Sequence, residues 1–351
     1  MLAAAGVAAR VWRASPVTYV LGPAALVVVV DVGDRPDGSG VHAIDEVILR
    51  PPIPEDALGV LTGGPSRLPI VGFVRVSEGY LPLGRLRVTS HSSTWAADRS
   101  QSTFQDCHLN IENPLPFPVL DRVRPLPSTR LSGVGWADLL PSDPIGALRG
   151  FLTAWFADVP VGRTASPVGS DRGLPKALAA LYETAAGRHE VLGGFNRIFT
   201  PNQFRVADDG RVVFGAECQG VWNVRMDPAE PDPVVVYDDL GAGPVAERER
   251  LAAFLVQFSV CDAAIGSPYG AWGFAHEEDL QQTVTSAGLR QVLLAPLRWP
   301  ADPTQLYIGA GVAVAAARMD ADTFTIYAGA RQRAGLLPLR DANFEWETFT
   351  G

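Results

Sequence analysis

Lysine is almost missing from this chain. Lys176 stands alone against 28 arginines, a bias expected of a GC-rich bacterial genome and silent about function. Cysteine is scarce as well: Cys107, Cys218 and Cys261 are odd in number and widely spaced, which argues against a secreted disulfide scaffold and fits a reducing cytoplasm. The five histidines (His42, His91, His108, His189, His276) never occur four apart with an intervening glutamate, and there is no Cys-x-x-Cys. A zinc site is therefore not expected, and no metal or cofactor is assigned.

Phosphate-cradling loops are absent too, since Gly309-Ala310-Gly311 lacks a third glycine and a following helix. Gly266-Ser267-Pro268-Tyr269-Gly270 places its serine one position early for a nucleophile elbow, with no strand leading in, and reads as a helix-terminating loop. The one apolar run, Val17–Val30, is broken by Gly22-Pro23, is too short to span a bilayer, and ends in Asp31-Val32-Gly33-Asp34 rather than a small-residue cleavage site. It reads as a buried β-strand followed by a turn, with no membrane association.

Two further groupings of reactive residues are weak. Cys107-His108 are adjacent, but neighbours on a strand point to opposite faces, so they are not expected to form a nucleophile and base. Asp31, Asp34 and Asp37 recur every third residue among glycines, yet calcium loops use alternate residues and a late glutamate, so a polar turn is expected.

What is present points to packed cores. With 351 residues, 47% apolar, the chain is long enough for two domains. Residues 1–125 carry 11 arginines against 12 acids, which leaves 18 bases against 26 acids in the remainder. Nearly all of the net charge of −9 therefore belongs to the C-terminal part. Such a surface repels phosphate backbones and suits a basic protein partner, so nucleic-acid binding is not expected.

Short runs separated by Gly, Pro, Asp and Ser predict a mainly β domain over 1–125, with strands at His42–Leu49, Leu68–Val76, Gly84–Ser90 and Cys107–Ile111. The prolines of Asn113–Ser128 predict an extended segment, and 126–143 is expected to be an irregular linker. From residue 144 to 351 helices and strands mix. Helices are predicted at Pro144–Val159, Leu174–Ala186, Val245–Ala264 and Glu277–Ala287, around a meander of Arg211–Glu217, Val221–Met226 and Pro233–Tyr237. Strands near Gln305–Ala317, with a glycine bend inside, and Thr323–Ala328 close the domain. A Gly162–Arg172 loop follows the first helix. The fold class is thus α+β, with a mainly β domain in front.

Gly173-Leu174-Pro175 with Leu181-Tyr182, Ile198–Phe204 (IFTPNQF), Val213–Glu217 (VFGAE), Gly220-Val221-Trp222 and Val234–Asp239 (VVVYDD) together resemble the SUKH (Smi/Knr-like) superfamily over about residues 144–338. That group consists largely of bacterial toxin-immunity proteins. The resemblance implies a mixed or antiparallel sheet flanked by helices and a non-enzymatic role: a cytoplasmic immunity protein that occludes a cognate, probably basic, toxin. The contact residues expected are Trp222, Tyr237 and Trp272 as aromatic anchors, with Asp238, Asp239, Glu277, Glu278 and Asp279 supplying opposing charge. Trp222 also reads as a core residue, Glu277–Asp279 as acids suited to a helix start, and Asp238-Asp239 as a solvated turn. The alternatives are a regulatory or scaffold module that recruits a cellular partner, and an enzyme with its site in the N-terminal domain.

Overall fold

The computed structural model describes residues 2–63, 68–95, 102–126, 131–160, 174–238 and 243–351. The chain divides into two compact units, Met1–Ser128 and Thr129–Phe349. It combines helices with three sheets and is α+β.

The first unit opens with a short helix, α1 (Leu2–Ala5), then β1 (Arg10–Ala14), β2 (Val17–Leu21), β3 (Leu26–Asp31), β4 (Gly40–Ala43) and β5 (Glu46–Leu49). Helix α2 (Glu55–Leu61), strands β6 (Ile70–Val76), β7 (Gly79–Trp95) and β8 (Ser102–Ile111), and helix α3 (Phe117–Val123) follow. All eight strands form one sheet in the order β1-β2-β3-β6-β7-β8-β5-β4. Only β3 and β6 run parallel. Gly22-Pro23 does not interrupt a single strand: it turns the Val-rich run back on itself, so β2 pairs with β3. His42–Leu49 is likewise the β4–β5 hairpin.

The prolines of 113–126 do not leave that segment extended. Pro116 and Pro118 fall at the start of α3, where the missing N–H groups have no intrahelical partner to lose. The Asp31–Asp37 turn is held by arginines: Asp34 pairs with the buried Arg124 at 2.9 Å and Asp31 with Arg75 at 3.2 Å. Cys107 faces the core while His108 faces outward, and burial pushes the Cys107 thiol up to about 12.

In the second unit the expected linker is partly core. Trp136 and Leu140 are buried, and Trp136 meets Phe151 edge-on at 5.1 Å. Ser132 donates to the Ala154 carbonyl at 2.8 Å. Helices α4 (Pro144–Trp155) and α5 (Lys176–Ala185) lie where the sequence places them, α5 ending as Ala186 and Gly187 adopt positive φ. A six-stranded sheet follows: β9 (Arg197–Ile198) and β10 (Arg205–Val206) both pair with β11 (Val212–Ala216), then come β12 (Asn223–Met226), β13 (Val234–Asp238) and β14 (Val245–Arg250).

The expected helix at Val245–Ala264 is half wrong. Its first six residues are β14, and the helix α6 is Leu251–Gly266. In β14 the alternation of charge decides: Glu247 turns inward to accept from the Arg298 backbone at 3.3 Å, while Arg248 turns out to Asp302 at 2.5 Å. Helix α6 is mostly apolar around its circumference, with Gln257, Ser259 and Asp262 as its polar residues, and is buried from Leu251 to Ala264, as expected of a central helix.

The third sheet is built from β15 (Tyr269–His276), β16 (Arg290–Gln291), β17 (Thr304–Gly309), β18 (Val312–Arg318), β19 (Thr323–Ala330) and β20 (Glu345–Phe349), with α7 (Glu277–Ser286) after β15. Its order is β16-β17-β18-β19-β15-β20, entirely antiparallel. Gly309-Ala310-Gly311 is not a bend within one strand but the turn between β17 and β18, with Gly311 at φ 69°. Among the described residues no helix is long and apolar enough to cross a membrane.

Candidate functional site

The predicted contact residues fall into two groups. Trp222 and Tyr237 are 1% and 2% exposed and meet edge-on at 5.1 Å. Trp299 and Phe254 extend the same aromatic cluster, with Trp299 5.5 Å from Trp222 and Phe254 6.2 Å from Tyr237. Burial holds the Tyr237 hydroxyl well above its ordinary pKa. Both residues are therefore core, not surface anchors as expected. The β11–β12 turn delivers Trp222 inward: the Glu217 carboxylate accepts N–H bonds from Gln219 at 2.7 Å and Val221 at 3.2 Å. Bonds from the Cys218 thiol and these amides lower the Glu217 pKa. Asp238 is partly exposed and forms an ion pair with Arg225, which in turn holds Asp209 at 3.2 Å. Asp239 lies outside the described residues.

Trp272, Glu277, Glu278 and Asp279, by contrast, are carried by one continuous piece of chain, β15 running into α7. Along β15 exposure alternates: Tyr269, Ala271, Gly273 and Ala275 are buried, whereas Trp272 and His276 are exposed and Phe274 is half-buried. Trp272 is 39% exposed, and its ring meets Phe274 edge-on at 5.8 Å. Tyr327 on β19 lies opposite Trp272 and is partly exposed, so three aromatic rings share this end of the sheet face.

Gly273 makes the far side of the face possible. A Cβ there would stand 2.2 Å from the Glu345 carbonyl oxygen, so only glycine admits β20 at this distance. The register slips between Trp272 and Gly273, which sets Thr348 opposite Trp272 and Glu345 opposite Phe274 and leaves Glu347 exposed.

Acids ring these aromatics. The Glu277 amide donates to the Asp322 carbonyl at 3.0 Å, and its carboxylate pairs with Arg318 at 3.2 Å. Asn343 donates to Asp279 at 2.8 Å, tying the approach to β20 to the first turn of α7. Among the described residues Glu278, Glu345 and Glu347 have no ion-pair partner. The resulting surface carries six carboxylates (Glu277, Glu278, Asp279, Asp322, Glu345, Glu347) against Arg318 and His276. No protein-family model, curated protein or solved structure matches the chain. The case for this surface rests on its own chemistry: rigid aromatic area, a polar rim and charge of one sign.

Phe274, Tyr327, Glu345 and Glu347 were not singled out from sequence. The only signal was the alternation in Tyr269–His276 (YGAWGFAH), obscured by its two glycines and by the loop expected at Gly266–Gly270.

The histidines of the first unit sit in different surroundings, although the His108 charge reaches His42. His42 is buried, His91 stacks on Phe104 at 6.4 Å, and His108 lies on the outward side of β8 between Glu46 at 2.8 Å and Asp106 at 3.8 Å. The Ser92 hydroxyl donates to Asp106 at 2.6 Å, so the nearby hydroxyl is held by the carboxylate and not by the imidazole. Among the described residues no group of three or more His, Cys, Asp or Glu is placed to hold a metal ion.

Proposed function

We propose that this chain is a non-enzymatic, SUKH-like immunity protein that acts in the cytoplasm and neutralises a cognate basic toxin by covering it with the β15–β20 face. The observation that carries the reading is exposed Trp272, edge-on to half-buried Phe274 and opposite the partly buried Tyr327, on chain segments rich in carboxylates. Aromatic anchors supply most of the energy in such contacts, and the acidic rim speeds encounter with Arg- and Lys-rich partners. The net acidity of residues 126–351 supports the same polarity of partner.

Co-expression with the product of the adjacent gene, followed by pull-down and a toxicity-rescue assay, tests the reading. Trp272→Ala is expected to weaken capture by roughly 2 kcal/mol, about thirtyfold, with little change in melting temperature. Reversing Glu278, Glu345 and Glu347 to lysine is expected to slow association about tenfold at low salt, a difference that fades as salt is raised. Capture that is unaffected by all four changes would remove this face from the contact, and failure to rescue any neighbouring toxin would count against immunity itself.

A further inference from the structure

Away from that face, the second unit carries a groove of about 470 Å³ between the 189–192 helical turn, the Gly193-Gly194 loop and β9. We infer that this groove is a binding site for a zwitterionic amino acid with an apolar side chain. The assignment is independent of the toxin-binding reading.

Its floor is apolar, made by Leu192 and Ile198, which are 8% and 1% exposed and belong to the core. Its walls carry opposite charges. Arg197 and Glu190 both line it, both are exposed, and neither has an ion-pair partner among the described residues. An unpaired guanidinium fork is suited to a carboxylate, and an unpaired carboxylate to an ammonium. Gln203 is already oriented, because its Oε1 accepts from the Thr200 amide at 2.9 Å and the Thr200 hydroxyl at 2.8 Å. Its NH₂ group remains as a donor in the groove lining. Phosphate-rich ligands fit poorly, since they would need several cations and would meet Glu190.

The groove is kept open and its rim is held. A Cβ at Gly194 would meet nothing nearer than the Gly266 carbonyl oxygen at 3.8 Å, and Gly194 is not at positive φ, so neither packing nor backbone demands glycine there. The rim is anchored from below by Asp262 of α6, which is 7% exposed and accepts N–H bonds from Gly194, Phe195 and Asn196 at 2.8, 3.0 and 2.8 Å. Taking a carboxylate out of water is costly, and desolvation raises the Asp262 pKa despite those three bonds. The return is a rim that does not have to be ordered when a ligand arrives. Within the rim, Asn196 is 2% exposed and its Oδ1 has no hydrogen-bond partner among the described residues, an unused acceptor between two groove-lining positions.

The test is titration of the full chain with L-leucine, followed by amide NMR shifts and calorimetry, beside 4-methylpentanoate, which lacks the ammonium, and 3-methylbutylamine, which lacks the carboxylate. Leucine is expected to bind and to shift residues 189–203, with each truncated analogue at least about tenfold weaker. Arg197→Gln and Glu190→Gln are each expected to lose about tenfold in leucine affinity while the melting temperature holds. No binding of leucine at about 10 mM, equal binding of all three compounds, or unchanged binding in Arg197→Gln and Glu190→Gln proteins that melt normally would each overturn the assignment.

Discussion

Arg124 is 1% exposed, yet it is among the best-tied side chains of the first unit, bonded to Asp34 and to the His42 carbonyl oxygen. Beside it the His42 ring bonds the Gly38 carbonyl at 2.9 Å. Desolvation first, and then the neighbouring Arg124 charge, push the His42 pKa down to about 4. A histidine that resists protonation when folded, but titrates normally near 6.5 when unfolded, contributes stability that is complete above pH 6.5 and drains away as pH falls towards 4. That shift corresponds to roughly 3 kcal/mol. Urea unfolding of the first unit is therefore expected to show a falling midpoint across this window, and His42→Leu to flatten the fall. Tryptophans show how far single residues can be read from sequence. Trp222 and Trp272 have equally plain local sequences, but one is 1% and the other 39% exposed. Nothing local separates them, because burial is decided by the strands that pair on either side. Trp222→Ala is expected to cost about 3–5 kcal/mol in unfolding free energy, whereas Trp272→Ala costs little.

Elements with a signposted start and stop were legible. Helix α5, opened by a proline and closed by Gly187, and the β11–β12 turn at Gln219-Gly220 lie where local chemistry puts them. Elements whose pattern competes with tertiary context were not. The run Val245–Arg250 carries helix-forming residues, but as a strand it places Glu247 against the 295–303 loop, and pairing with β13 wins. Strands β15 and β20, which carry the candidate site, were missed because glycine weakens strand propensity and β20 is recognised only by what it pairs with. Gly273 is the point at which this pairing is most exposed to test. Gly273→Ala pushes a methyl into the Glu345 carbonyl, and a cost of roughly 1–3 kcal/mol with displacement of β20 is expected. Trp272 fluorescence should shift in that variant even under conditions where the rest of the unit stays folded.

For the molecule as a whole, two units with separate cores imply two unfolding events. Calorimetry at pH 7 is expected to resolve two transitions, and lowering the pH to 5 to move one of them, the one that contains His42. A single transition insensitive to His42→Leu would contradict this. The overall division was visible in composition, through a β-rich first part and an acidic second part. What composition could not convey is that Trp136 and Leu140, within residues 131–143, join the second core, since an irregular segment after a proline-rich stretch reads the same whether it hangs free or packs.

The buried, mostly apolar helix α6 also dictates an order of events during synthesis. It ends at Gly266, and the last strand of the sheet that shelters it ends at Phe349, 83 residues later. At ribosomal speeds of about 5–20 residues per second, that is a delay of several seconds. Through that interval a mostly apolar helix, buried from Leu251 to Ala264 in the finished unit, waits without its cover, so the second unit is the part of this protein whose yield should depend on chaperones and on slow translation after α6.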